Sequence, residues 1–175
     1  LAMLIASDPS LQTLTLGYRH AVAADDKRLA RQLKGGVLCF AVAVRFAGGK
    51  SDAHIASYTG LTLVALDGIA PERMAAVLAA IGADVHTLMA YTTLSGQGVR
   101  IIARYLAEGG AVGDSASRYK TAFRAVNEYY RRLTGVEPDL KCSNPTRLSA
   151  LAHDPDVHYR PDAQPMDIAT LTAQY

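Results

Sequence analysis

The stretch Leu61-Thr62-Leu63-Val64-Ala65-Leu66-Asp67 decides the fold. It is apolar on both alternating faces, the pattern of a strand covered on both sides, and it delivers one carboxylate at its end. Asp67-Gly68 breaks the run. Further on stands Leu94-Ser95-Gly96-Gln97-Gly98-Val99-Arg100-Ile101-Ile102, a glycine-rich turn that opens a second apolar strand and brings out one guanidinium. An acid and a base at the ends of core strands suggest a site for an anionic ligand.

Working outward, Pro71 starts a helix whose Met74, Val77, Leu78 and Ile81 fall on one face, and Gly82 stops it. His86–Thr93 reads as a strand. The short Ser95–Gly98 link makes it antiparallel to a strand over Val99–Tyr105. Glu108–Asp114 is a Gly-rich loop. Ser115 caps a long helix to about Leu133, with Tyr119, Phe123, Val126, Tyr130 and Leu133 on its apolar stripe. Arg147–Ala152 reads as a short strand, and residues 157–175, punctuated by Pro161 and Pro165, as an extended tail that wraps the domain or leads out of it. Upstream, a helix is expected from about Leu16 to Leu33, ended by Lys34-Gly35-Gly36. Val37–Phe46 then reads as one strand, and residues 50–60 as a loop or edge segment. The order of elements predicts an α+β domain with a mainly antiparallel sheet and helices largely on one face.

With 175 residues, half of them apolar and 19% charged, the chain has the material for one domain with a full core. A net charge of +2 is too small for nucleic-acid binding by bulk electrostatics, so any such contact must be a local patch. Cys39 and Cys142 fit no zinc spacing, and Cys39 reads as a small core residue. A reduced, cytoplasmic setting is the default expectation. No apolar run reaches membrane-spanning length, so no membrane partner is expected. The chain starts at Leu1, which suggests a piece of a longer protein.

Each candidate residue has two readings. Asp67 is a turn or cap residue, or a ligand for a divalent cation. Ser95-Gly96-Gln97-Gly98 is a hairpin turn, or a backbone that lets a phosphate approach. Arg100, placed in an apolar strand, needs a partner, either a phosphate or an acid such as Asp67. Asp139 and Arg147 bracket a polar loop, and His153-Asp154-Pro155-Asp156 is an Asp-Pro turn or an acid/metal cluster. The basic rim from Arg118 to Arg132 is a solvated helix face or a nucleic-acid contact.

These pieces together resemble the VirE N-terminal domain family, related to the archaeo-eukaryotic primase (primase-polymerase) superfamily. The resemblance rests on Lys34-Gly35-Gly36-Val37, Tyr58-Thr59-Gly60-Leu61 leading to Leu66-Asp67, Ser95–Arg100, Asp139 with Asn144-Pro145-Thr146-Arg147, and His153–Asp156. It implies an RRM-like fold and a primase-polymerase-like domain over residues 1–165. Residues 166–175 would then be a tail leading to further domains, such as a helicase-like ATPase. It implies Asp67 and Asp139 as catalytic acids holding Mg²⁺ or Mn²⁺, with Asp154 as a further candidate ligand. It implies Ser95, Gly96, Gly98, Arg100 and Arg147 as nucleotide-binding residues. Ile69 stands where that superfamily has a second acid, and Arg100 where it has His. The expected function is nucleotide or nucleic-acid binding, with metal-dependent nucleotidyl transfer from a degenerate site. The expected partners are a nucleoside triphosphate, DNA or both. The alternatives are a non-catalytic nucleic-acid-binding or scaffold module, and a plain protein-interaction domain.

Overall fold

The computed structural model describes residues 1–107 and 115–174; the loop expected over Glu108–Asp114 lies outside them. The chain is α+β, and the expected strand, β4 (Leu61–Leu66), lies at one side of its main sheet. Helix α4 (Pro71–Ala83) follows, then β5 (Thr87–Thr92) and β6 (Val99–Leu106) as an antiparallel hairpin. β6 lies between β4 and β5, antiparallel to both, with Ala65 and Tyr91 flanking Arg100 in register. Helix α5 (Ala116–Thr134) comes next. Ser115 caps its N-terminus by accepting the N–H of Arg118, and Gly135 ends it with a left-handed φ of 64°. After α5 the chain returns along β4: Leu66 and Pro138 form an antiparallel bridge, and the Asp139 N–H donates to the Ala65 carbonyl. The central unit thus has the order strand, helix, two strands, helix, with its next segment laid beside the first strand, as in split βαβ folds.

Alternation along these strands feeds two apolar layers. Val64, Leu66, Ala90, Ile101 and Ala103 face α4 and α5, meeting Val77, Ile81, Phe123, Val126 and Tyr130. Leu63, Met89, Tyr91 and Ile102 face the other way. There Ile5 of α1 (Ala2–Ser7), Leu11 of α2 (Pro9–Ala23), and Leu151 and Ala152 cover part of the sheet. The uncovered part of this second face becomes the cleft described below.

The N-terminal half differs from expectation. The single helix over 16–33 is two: α2 and α3 (Lys27–Gly35). Asp8 caps α2 through the Leu11 N–H, Asp26 caps α3 through the Leu29 N–H, and Asp25 turns the chain between them at φ 54°. Val37–Phe46 also divides. β1 (Cys39–Ala41) pairs with β7 (Leu148–Ala150), whereas β2 (Val44–Phe46) pairs with β3 (Ile55–Tyr58), and residues Val42-Ala43 turn between the two ladders. β7 therefore joins β1 rather than the central sheet.

The stretch expected as a tail is built into the fold. β8 (His158–Tyr159) extends the central sheet beside β5, and β9 (Met166–Asp167) pairs in parallel with the end of β6. Helix α6 (Ile168–Gln174) then buries Ile168 and Leu171 in the core shared with α5. Burying Met166, Ile168 and Leu171 favours docking over an extended chain. No helix among the described residues is long and apolar enough to cross a membrane.

Candidate functional site

A cavity of about 450 Å³ opens on the second face of the sheet. Its floor is Leu63 and Ala65 of β4, Asp67 just after it, and Arg100 of β6. Alternation along β4 puts the first three on one face, and the register puts Arg100 directly beside Ala65. One wall is β1 and β7, through Cys39 and Leu148–Ala150. A second is the turn Thr93–Ser95. A third is Asp139, Cys142 and Arg147 after α5, and Tyr18 and Lys34 reach in from α2 and α3. Five residues singled out from sequence, Asp67, Ser95, Arg100, Asp139 and Arg147, therefore share one cleft.

Arg100 and Asp67 form a two-pronged ion pair, with Nη1 to Oδ1 at 3.0 Å and Nη2 to Oδ2 at 3.3 Å. The planar guanidinium matches both carboxylate oxygens at once. Arg100 is 22% exposed and Asp67 54% exposed, so the pair lies at the water boundary. Arg147 and Lys34 are both exposed to solvent, and their side chains make no hydrogen bond or ion pair among the described residues. Asp139 caps the turn Leu140–Cys142: Oδ1 accepts the Lys141 N–H at 3.0 Å and Oδ2 the Cys142 thiol at 3.3 Å. The Lys141 backbone bond, the thiol and the charges of Lys141 and Arg147 hold its carboxyl below the usual range, against partial burial. Burial, with that same bond to Asp139, pushes the Cys142 thiol up.

Tyr91 stands beside Arg100 on the same face of the sheet as the floor. Its hydroxyl shares a 2.8 Å hydrogen bond with the Ser149 hydroxyl and donates to the Ala150 carbonyl at 2.9 Å, tying β5 to β7. Burial pushes the phenol up to about 12, although the Ser149 bond and the Arg100 charge oppose this. Arg19 of α2 fixes the turn wall: its Nε donates to the Leu94 carbonyl and its Nη2 to that of Thr93.

The glycines of the turn serve the backbone, and neither lines the cavity. Gly96 has φ 74° and lies against the Arg19 guanidinium. Gly98 passes so close to β4 that a Cβ there would collide with the Leu66 carbonyl oxygen. Asp154 is also elsewhere. It is 8% exposed, and its carboxylate accepts the Thr92 N–H at 2.7 Å and the Asp156 N–H at 3.0 Å. It is an Asp-Pro turn that caps the end of β5.

The donor set does not fit the expected pair of divalent cations. Gly68 takes φ 65°, which ends the extended alternation, so Ile69 turns into the α4–α5 core at 4% exposure instead of standing beside Asp67. Both Asp67 oxygens are bound by Arg100. Among the described residues no three His, Cys, Asp or Glu side chains gather as a metal group.

Sequence reasoning missed Tyr18, Lys34, Cys39 and Ser149 as cleft residues. Cys39, expected in the core, is exposed and lines the cleft. Only Lys34 and Ser149 left a signal, a cation at a helix end and a hydroxyl in an apolar strand; both are too common to be specific.

A sequence model of the BT4734-like, N-terminal domain family matches residues 32–159. Neither a curated protein nor a solved structure matches significantly. The matched segment runs from α3 to β8 and holds every cleft residue named above except Tyr18 and the α2 clamp Arg19. This match overturns the resemblance to the VirE N-terminal domain and to the primase-polymerase superfamily. Because it covers most of the chain, the protein belongs to the BT4734-like N-terminal domain family.

Proposed function

We propose that the cleft binds a nucleotide through its phosphates. The observation that carries this reading is the convergence of Lys34, Arg100 and Arg147 on one cavity in which Lys34 and Arg147 have no ion-pair partner among the described residues. The volume of about 450 Å³ lies in the ordinary range for small-molecule sites. Arg147 and Lys34 would take the phosphates, Arg as a planar fork and Lys as a point charge. The half-buried ring of Tyr18 offers an apolar face for a base or sugar, and the Ser95 and Ser149 hydroxyls offer neutral polar contacts.

Binding fits these residues better than nucleotidyl transfer does. Asp67 is spent on Arg100 and Asp139 on its own turn, so neither is a free general base. A thermal-shift series tests the reading: a nucleoside triphosphate without added metal should raise the melting temperature, and the matching nucleoside should not. Equal shifts from both, or none from either, would remove the phosphate-based reading.

A further inference from the structure

α3 carries a cationic stripe that runs into the cleft. At about 100° per residue, Lys27, Arg31 and Lys34 line up on one strip of the helix with Arg28 beside them, while Leu29 and Leu33 lie on the opposite arc. Those two leucines are half-buried, and Leu33 touches the α2 side at Gly17. The four cations are all exposed. The helix itself contains no acid. Asp26 is used as its cap, and among the described residues only Lys27 has an ion-pair partner, Asp25 at 3.6 Å with both side chains over 80% exposed. Such a pair is too weak to neutralise the stripe. The C-terminal end of the α5 rim is different: Arg131 and Arg132 are both held by Glu128 at 2.7 Å.

Lys34 belongs to both features, as the last cation of the stripe and as a cleft residue. The stripe extends about 10 Å from it along the helix axis. We infer that α3 is a track for the phosphate backbone of a single-stranded nucleic acid whose terminal nucleotide occupies the cleft. This deepens the nucleotide reading and rests on it. A free nucleotide has no use for Arg28 and Arg31, which lie outside the cavity, whereas a strand leaving the cavity past Lys34 meets them in turn. Neutral peptides and apolar ligands have no match to a surface with four cations and no acid of its own. A strand held mainly by its phosphates is recognised with little sequence preference and with strong salt dependence.

The test measures anisotropy of a labelled twelve-residue oligothymidylate on the full chain, over a salt series. It is run on the wild type, on Arg28→Ala/Arg31→Ala, and on Lys120→Ala/Arg124→Ala as an α5 control with the same charge change. Nucleoside triphosphate binding is measured in parallel. The expected result for the α3 variant is a roughly tenfold or greater loss at 0.1 M salt and a slope of log affinity against log salt shallower by about 1.4. The α5 control should bind like the wild type, and triphosphate binding should be unchanged in both variants. An α3 variant that binds the oligonucleotide like the wild type, or a control that loses as much, overturns the track even if triphosphate still binds. Loss of triphosphate binding by the wild type itself would instead overturn the cleft reading, whatever α3 does.

Discussion

Arg100 grips Asp67 with both terminal guanidinium nitrogens, at 3.0 and 3.3 Å, on the floor of a cleft that also holds Arg147 and Lys34. The pair joins the start of β6 to the end of β4 and sets the charge of the site. With Asp67 in place, Arg100 is half-neutralised, and an incoming phosphate must compete with a carboxylate for it. Asp67→Asn should therefore tighten triphosphate binding by about two- to fivefold, the range of an exposed ion pair. Calorimetric titration of the two proteins checks this. Weaker binding in the variant would mean that Asp67 contacts the ligand itself.

Tyr91 ties the floor to the β7 wall. Tyr91→Phe removes the donor to the partly buried Ala150 carbonyl and the partner of the buried Ser149 hydroxyl. The expected loss is about 1–3 kcal/mol of stability, read by chemical denaturation at constant m. An unchanged midpoint would mean that water replaces the phenol.

Gly98 is required by distance rather than by backbone angle. Gly98→Ala forces a methyl group against the Leu66 carbonyl and the Asp67 carboxylate, so β4 and β6 must separate. A cost of about 1–3 kcal/mol is expected, with loss of the Arg100–Asp67 geometry. Gly68→Ala is a useful contrast. Its φ of 65° is strained for Ala but nothing lies within 4 Å, so only the backbone cost, about 1 kcal/mol, should appear. Denaturation midpoints of the two variants separate crowding from strain.

The α5 rim has its own pH signature. The Arg131 and Arg132 guanidiniums lower the Glu128 carboxyl from 4.5 to about 2. A carboxyl depressed on folding stabilises the native state above its unfolded pKa, and that contribution fades as pH falls through the folded value. The stability difference between wild type and Glu128→Gln should therefore be full above about pH 5 and fade as the pH falls from there toward about 2. A difference constant across this window would show that the fork is not charged as described.

The central fold was legible because its signals are local. The apolar run of β4, Pro71 at the start of α4, the short β5–β6 link and the Ser115 cap each act within a few residues. The division of Val37–Phe46 was not legible, because β1 and β2 differ in distant partners, β7 and β3, and not in composition. Asp67 was one of two partners that the sequence offered Arg100, the other being a phosphate; the long-range pairing of β4 with β6 brings the acid to it. Ile69 could not be placed, because one left-handed glycine, Gly68, moved it from the cleft side to the core. Tyr18 and Lys34 enter the cleft only through the packing of α2 and α3, which no spacing encodes. Asp154, legible as either an Asp-Pro turn or a metal ligand, is the turn, its carboxylate accepting two backbone N–H groups.

The most direct test is isothermal titration of a nucleoside triphosphate into the wild type, Arg147→Ala and Lys34→Ala. Both side chains are exposed and unpaired among the described residues, so their removal should leave the fold intact. Each should cost about 1.5–3 kcal/mol of binding, roughly tenfold or more in affinity, as expected for a charge-assisted hydrogen bond. Wild-type affinity in both variants would show that the cleft is not a phosphate site and would contradict the account.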